Sequence, residues 1–516
     1  MKLLHDVLQK AVSIYPDRIA FENMGKEISF AQLFQRIECL AGALVAFGIK
    51  RGDRVSLLAE NSMDYICYHY ATAMIGAMLH VINTRLSENE MIWMVNDVWS
   101  TIMVIDESHA SRWAVFSAHC PSLRFLIGIG EVAGAKYKTD ELASSGVPIK
   151  DRPSVSPKDP ALLIYTSGTT GTPKGALQTH EGSITQDELT AEVLETSQED
   201  VYLAFMPYFH QAGLIRTRST LIRGGKNVTM GKKLDITKVA NIIAEKRISL
   251  ALVPPPVDGI ILETLEREKL DLSCLRMVVG GGGLGSAYAE KMKRFCEKLN
   301  CRFMGVYGTT ECTGTVTFVM GEDSFENSET CGKPFRGIEV EIWGEDNRPL
   351  PTGKIGEVMV RGKTTVPGYW KNEQATKELY TREWLHTGDL GRFDEKGFLY
   401  IVDRKKDMIK TGAENVYSKE VEDVLCKHPS IADVAVIGLR DPNPGGWGEV
   451  VTAVIVLESG AAELTVDELK AFCKIKIAGY KAPKVVHTVK AIPRNAIGKV
   501  LKVELRKQFS LEKAVK

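Results

Sequence analysis

The stretch Tyr165–Gly175 constrains this chain more than any other. It reads Tyr-Thr-Ser-Gly-Thr-Thr-Gly-Thr-Pro-Lys-Gly and follows directly on the apolar run Ala161-Leu162-Leu163-Ile164. Such a run, bounded by turn residues, reads as a buried strand, so the loop sits at a strand end. Gly168, Gly171 and Gly175 let the backbone turn several N–H groups toward one anion. Thr166, Ser167, Thr169, Thr170 and Thr172 add hydroxyl donors, and Lys174 adds a mobile positive charge. A Ser/Thr/Gly-rich surface turn has a similar composition, but it has no need of a lysine fixed between Pro173 and Gly175. A Walker-type P-loop is excluded, because there Gly-Lys is followed at once by Ser or Thr. A nucleotide triphosphate site of a different kind is implied.

With 516 residues the chain exceeds what one hydrophobic core serves, and several domains are expected. A hydrophobic fraction of 44% and a charged fraction of 25% are those of a globular chain and argue against disorder. The 65 Lys and Arg balance the 65 Asp and Glu, so no net field draws in nucleic acid or an anionic membrane, and any anion has to be captured locally. The ten cysteines include no Cys-x-x-Cys pair, which argues against zinc and for free thiols. Leu3, Leu4, Val7, Leu8, Ala11 and Val12 are spaced as one helix face, unlike a signal peptide. No apolar run reaches the ~20 residues that span a bilayer. A cytoplasmic protein without a transmembrane segment is expected.

Strand-like and helix-like segments alternate through the first 160 or so residues, the pattern of an α/β layer with a mainly parallel sheet. A second α/β round follows. Its apolar runs at 201–205, 249–253, 275–279 and 302–306 end in Pro, Gly or polar residues, and in open α/β sheets ligands sit outside such strand ends. From about 335 to 402 short strands and turns predict a small β-rich subdomain. The charge run Asp403-Arg404-Lys405-Lys406-Asp407 marks a boundary. The expected fold class is α/β: a large N-terminal domain over 1–402, built of α/β subdomains and the β-rich one, then a small mobile α+β domain over 403–516.

The loop resembles the phosphate-loop signature of the adenylate-forming enzymes, the superfamily of acyl-CoA synthetases, peptide-synthetase adenylation domains and beetle luciferases. Four further motifs match in order. Tyr307-Gly308-Thr309-Thr310-Glu311 resembles the segment whose aromatic ring stacks on adenine, whose threonine contacts the α-phosphate and whose glutamate helps hold Mg²⁺. Alone, Gly-Thr-Thr-Glu reads as a helix N-terminus. Gly281, Gly282 and Gly283 then become a place where backbone approaches a flat ring. Asp389, in Thr387-Gly388-Asp389-Leu390, matches the aspartate that accepts both ribose hydroxyls, although an Asp in a turn is the commoner explanation of so short a motif. Arg404 matches the arginine that also reaches the ribose, and Lys406 falls at the pivot of the C-terminal domain. Many members have aspartate at that pivot. Lys499, in Pro493-Arg494-Asn495-Ala496-Ile497-Gly498-Lys499, matches the adenylation lysine, in a tail that holds other lysines. Lys410 and Gly412 resemble the opposite face of the mobile domain, which shapes the pantetheine tunnel in CoA-forming members. Trp447 either packs against that arm or serves structure.

The resemblance implies catalytic roles for Lys499, Thr310, Glu311 and His210, nucleotide contacts from the loop residues, and Mg²⁺ at Glu311 and Thr170. ATP, Mg²⁺ and coenzyme A are the implied cofactors, and the partners are ATP, CoA and a carboxylic acid, with no nucleic acid. His210 matches the entrance of the acyl pocket. An α-amino-acid adenylation domain would have Asp where this chain has His210, so an amino acid is disfavoured. The expected reaction is ATP-dependent formation of acyl-AMP from a small to medium organic acid, fatty, aromatic or carnitine-like, then of its CoA thioester. An adenylating enzyme that loads a carrier protein is the alternative. Arg216 and Arg218, unusual in a segment expected to be apolar, are placed on solvent-facing helix positions, with binding of a second carboxylate or of a polar acyl tail as the other reading. The oligomeric state stays open, with a homodimer among the options.

Overall fold

In this computed structural model the described residues are 2–23, 25–149, 151–166, 173–231, 235–254, 257–411, 414–441, 448–474, 476–494 and 498–510, apart from the side chains of 286 and 287. They form two compact units, Met1–Val340 with Met359–Thr387, and Glu341–Val358 with Gly388–Lys516.

The first unit is built on two large sheets. Across the seven-stranded sheet the order is Tyr137–Lys138, Phe125–Ile129, Ile102–Asp106, Arg54–Leu58, Met78–Val81, Pro160–Thr166 and Lys174–Thr179. Every neighbouring pair is parallel except the last, an antiparallel hairpin that carries the phosphate loop. Strands buried on both faces need unbroken apolar runs, and Ile102–Asp106 is buried throughout. The helix Met63–Met74 starts at Ser62, whose hydroxyl accepts from Tyr65 N, and is buried from Tyr65 to Met74. It touches Met78–Val81 and Pro160–Thr166 of this sheet and Ile19–Asn23 of the other, which explains its weak amphipathicity.

The nine-stranded sheet runs in space from Lys333–Pro334 through Gly314–Met320, Arg302–Thr309, Met277–Gly281, Leu250–Leu252, Val201–Leu203, Lys226–Thr229 and Ile19–Asn23 to Lys26–Ser29. Its inner strands are parallel and its edges antiparallel. Side chains alternate across it as the pleat requires. Tyr202, Leu250, Met277 and Met304 join the core shared with the first sheet, while Leu203, Ala251, Val278 and Phe303 pack with Val239, Ile243 and Phe295 on the far side. The four strands expected to end at one site are neighbours here, and their parallel direction brings their C-terminal ends to one edge.

The second unit centres on a three-stranded sheet of Ile431–Arg440, Glu449–Leu457 and Val485–Thr488. Val436, Val451 and Ile455 meet Val421, Leu425 and Leu469 of the helices Ser418–Leu425 and Val466–Lys474, and Ala435, Ile437 and Val454 meet Leu505 of Lys502–Gln508. A five-stranded sheet made of Glu339–Trp343, Gly356–Arg361, Tyr380–Thr381, Trp384–Phe393 and Leu399–Arg404 realises the expected β-rich region, and the division between the units falls inside three of its strands. Among the described residues no helix is long and apolar enough to cross a membrane.

Two buried histidines of the first unit contribute to its acid sensitivity. His80 Nδ1 lies 2.8 Å from Ser56 Oγ, and His180 Nδ1 accepts from Leu4 N at 3.3 Å, a bond available only to the uncharged ring. Burial pushes their pKa values down to about 3 and about 4, with His5 adding repulsion at His180. Because both folded-state values lie below the unfolded one, stability is complete above about pH 6.5 and is lost as the pH falls toward 4. Each histidine is expected to cost about 2 kcal/mol at pH 5. Urea unfolding at pH 7 and pH 5 measures this loss, and equal midpoints would contradict it.

Candidate active site

In the first unit, Thr166 and Lys174 face each other at the open end of the hairpin. Thr166 Oγ1 approaches both Lys174 O and Glu311 Oε1 at 3.4 Å. The loop between them is therefore gripped at its two ends by one hydrogen-bonded pair. Ser167, Gly168, Thr169, Thr170 and Gly171 lie outside the described residues. Tyr369, which the sequence reading missed, donates its hydroxyl to the same Glu311 Oε1 at 2.9 Å, and the Lys174 ammonium stands 5.3 Å above its ring. Burial, followed by the Glu311 carboxylate, raises the Tyr369 phenol well above the ordinary tyrosine range, so it remains a donor. The segment that carries it lies along the hairpin, with Trp370 N donating to Gly175 O at 2.7 Å and Leu177 N to Gly368 O at 3.2 Å. Val-Pro-Gly-Tyr-Trp at 366–370 is only a turn signal locally. Its role depends on this long-range pairing.

Glu311 belongs to a short 3₁₀ turn, Thr310–Cys312, capped by Thr309, whose Oγ1 accepts from Cys312 N at 3.3 Å. Gln178 Nε2 donates to Thr310 O at 3.2 Å and Val366 N to Glu311 O at 2.9 Å, so the hairpin and the 366–370 segment both position the turn. The preceding strand shifts register between Tyr307 and Gly308. A side chain at Gly308 would put its Cβ 1.8 Å from Gly314 O, so the crossing admits only glycine. Beside it, Gly281 pairs with Val306 and is exposed, with nothing within 4 Å of an added Cβ. Gly282 donates to Val306 O at 2.8 Å, and Gly283 takes φ +68°. Bare backbone thus runs alongside the half-buried Tyr307.

His210 caps the helix Gln211–Leu221, its Nδ1 accepting from Ala212 N at 3.3 Å. Burial, and then the charge of Arg216, lower its pKa and hold the ring neutral. Gln211 Nε2 donates to Thr313 O at 3.0 Å, tying this helix to the chain just past Glu311. The solvent-facing placement of Arg216 and Arg218 is overturned, since they are 3% and 0% exposed. The helix is buried on all sides, and Arg218 is compensated by a side-on pair with Asp187.

In the second unit, Asp389 and Arg404 are cross-strand partners with Arg404 Nε 2.6 Å from Asp389 Oδ1. Gly388, at φ +70° within the strand Trp384–Phe393, precedes Asp389, and its N–H donates to Glu357 Oε1 at 3.2 Å. Lys499 is exposed, yet enough protein surrounds its ammonium to hold its pKa below the ordinary lysine value. Burial is the largest cause, and Arg404 and Lys406 add repulsion that Asp389 and Asp407 partly offset. Asp389, Arg404, Lys406 and Lys499 therefore form one electrostatic group. Lys410 lies in the hairpin of Ile409–Thr411 with Glu414–Val416, and its N–H donates to Glu449 Oε2 at 2.8 Å. Gly412 and Trp447 lie outside the described residues, although Gly448, next to Trp447, bridges to Thr411.

Residues 8–370 match the AMP-binding enzyme family and residues 420–499 the AMP-binding enzyme C-terminal domain. The chain is 31% identical over 514 residues, 99% of each chain, to the long-chain-fatty-acid–CoA ligase FadD13 of Mycobacterium tuberculosis. It is 32% identical over 500 residues, 96% of this chain and 98% of the relative, to the 2-succinylbenzoate–CoA ligase of Bacillus licheniformis. The solved O-succinylbenzoate coenzyme A synthetase of Bacillus subtilis, in complex with ATP and magnesium ion, is similar with a TM-score of 0.83 at 27% identity, covering 97% of this chain and 99% of that one. With both domain signatures present and relatives aligned from end to end, the chain belongs to the AMP-binding enzymes of the adenylate-forming superfamily.

Proposed function

We propose that the protein is an ATP-dependent acyl-CoA ligase. The observation that carries this reading is the convergence of Thr166, Lys174, Tyr369 and Glu311 at the mouth of the hairpin, where phosphate donors meet a single carboxylate. In the first half-reaction a substrate carboxylate oxygen attacks the α-phosphorus of ATP, and the bond to pyrophosphate breaks. In the second, the thiol of CoA attacks the acyl carbon, gives up its proton, and AMP leaves.

Tyr307 stacks on the adenine against Gly281–Gly283, Thr310 contacts the α-phosphate, and Asp389 and Arg404 take the ribose. Both hydroxyls that reach Glu311 go to Oε1, and the Glu311 carboxylate would hold Mg²⁺, a cation that usually takes one or two carboxylates with phosphate oxygens. Bound there with Thr170, it would neutralise phosphate charge. Lys499 neutralises the pentavalent centre of the first step. Rotation of 403–516 about Lys406 then exchanges Lys499 for the face of Lys410, Gly412 and Trp447, which receives the pantetheine arm. His210 stands neutral at the entrance of the acyl pocket. No disulfide joins the described cysteines, which suits a reducing cytoplasmic location.

Pyrophosphate release from ATP and Mg²⁺, measured over a panel of carboxylic acids with and without CoA, tests the reading. Acid-dependent release with consumption of CoA is expected. Acyl-AMP that accumulates despite CoA would point to a carrier protein as acceptor.

A further inference from the structure

Arg216 is the one charged group of the Gln211–Leu221 helix that the reaction above does not use and the fold does not compensate. Its Nη1 donates to Ala212 O at 3.2 Å, while Nε and Nη2 are buried and without a hydrogen-bond partner among the described residues. Those two nitrogens form one edge of the planar guanidinium, the edge that grips both oxygens of a carboxylate side-on. Arg218 on the same helix shows what the edge is for. Its Nε and Nη2 hold Asp187 Oδ2 and Oδ1 at 2.8 and 3.0 Å.

Arginine cannot escape burial by releasing its proton, and a buried cation without a counter-charge is strongly unfavourable. The ionisable groups that sense Arg216 are Tyr202 and His210, and neither is an acid of the carboxylate kind. The Tyr202 hydroxyl is also buried and without a hydrogen-bond partner among the described residues. This arrangement of donors sits on the helix whose first residues are His210 at its cap and Gln211 on the Glu311 segment. Its helix is the one that the proposed function places at the acyl pocket.

We propose that the acid activated by this enzyme carries a second carboxylate, which Arg216 binds side-on through Nε and Nη2 with Tyr202 beside it. The proposal rests on the acyl-CoA ligase reading. It makes Arg216 a specificity-determining residue, because a site built around a buried donor pair penalises any substrate that leaves the pair unfilled.

The test is pyrophosphate release by the wild type, Arg216→Leu and Arg216→Lys, with linear and aromatic dicarboxylic acids each paired with its monoamide. The wild type is expected to prefer the diacid by about 10²-fold or more in kcat/KM. Arg216→Leu is expected to erase the preference, chiefly through KM, and Arg216→Lys to recover part of it. Urea midpoints accompany the kinetics, and Arg216→Leu should not lower the midpoint, since no protein carboxylate loses a partner. Wild-type turnover of acids and monoamides without preference, or an equal loss on both in Arg216→Leu, would overturn the proposal while leaving the ligase intact. Absence of pyrophosphate release with every acid would overturn the ligase reading and this one with it.

Discussion

Replacing Lys499 by alanine is expected to slow acyl-AMP formation by about 10²-fold or more, the scale of a charge that acts in the transition state. Thioester formation from supplied acyl-AMP should stay within a few-fold of the wild type, because the second step presents a different face of the mobile domain. The ammonium stands in a group with Asp389, Arg404 and Lys406, where burial and two neighbouring cations lower its pKa. Adenylation by the wild type, followed as kcat/KM, should therefore fall as the pH rises through a value below the ordinary lysine 10.5. The same limb should vanish in Lys499→Ala. An equal loss in both half-reactions would remove Lys499 from its assigned role.

The second large effect concerns stability. Arg218 and Asp187 are both buried, 0% and 1% exposed, and their side-on pair is joined by His69 Nε2 at 3.4 Å from Arg218 Nη1. Desolvation pushes the Asp187 carboxyl up to about 6 even with Arg218 in place. Arg218→Met strands this carboxylate in the core, and breaking such a pair typically costs about 3–5 kcal/mol. Asp187→Leu combined with Arg218→Met should recover most of the loss, since replacing both partners by apolar groups is often neutral. Urea unfolding of the single and double variants measures both quantities. A single variant as stable as the wild type would show that the pair is not what holds the helix His180–Val193, which carries Asp187, to Gln211–Leu221.

The contrast between these two arginines shows where reading the chain from its residues succeeds and where it stops. The strand Pro160–Thr166 was legible because the apolar run Ala161–Ile164 passes directly into turn residues. The strand ending at Gly281 was legible for the same local reason, while its parallel neighbour runs on through Tyr307 to Thr309. Arg216 and Arg218 were misplaced because helical periodicity reports burial only when one face is wet. The helix Gln211–Leu221 has no wet face among its buried residues, so a polar side chain carries no information about direction there. Tyr369 had no local signature. Its hydroxyl meets Glu311 only because residues 366–370 pair with a strand formed far earlier in the chain. Asp389 and Arg404, assigned to the ribose by motif order, are cross-strand neighbours, a relation that two short motifs could not reveal separately.

The most direct test of the account is the identity of the nucleotide products, followed by ³¹P NMR as the enzyme turns over ATP and Mg²⁺ with an acid it accepts. The account predicts AMP and pyrophosphate in equal amounts, with acyl-AMP as the phosphorus species that builds up when CoA is withheld and disappears when CoA is added. ADP and inorganic phosphate as the products would contradict it, because they come from attack at the γ-phosphorus, whereas the proposed reaction attacks the α-phosphorus.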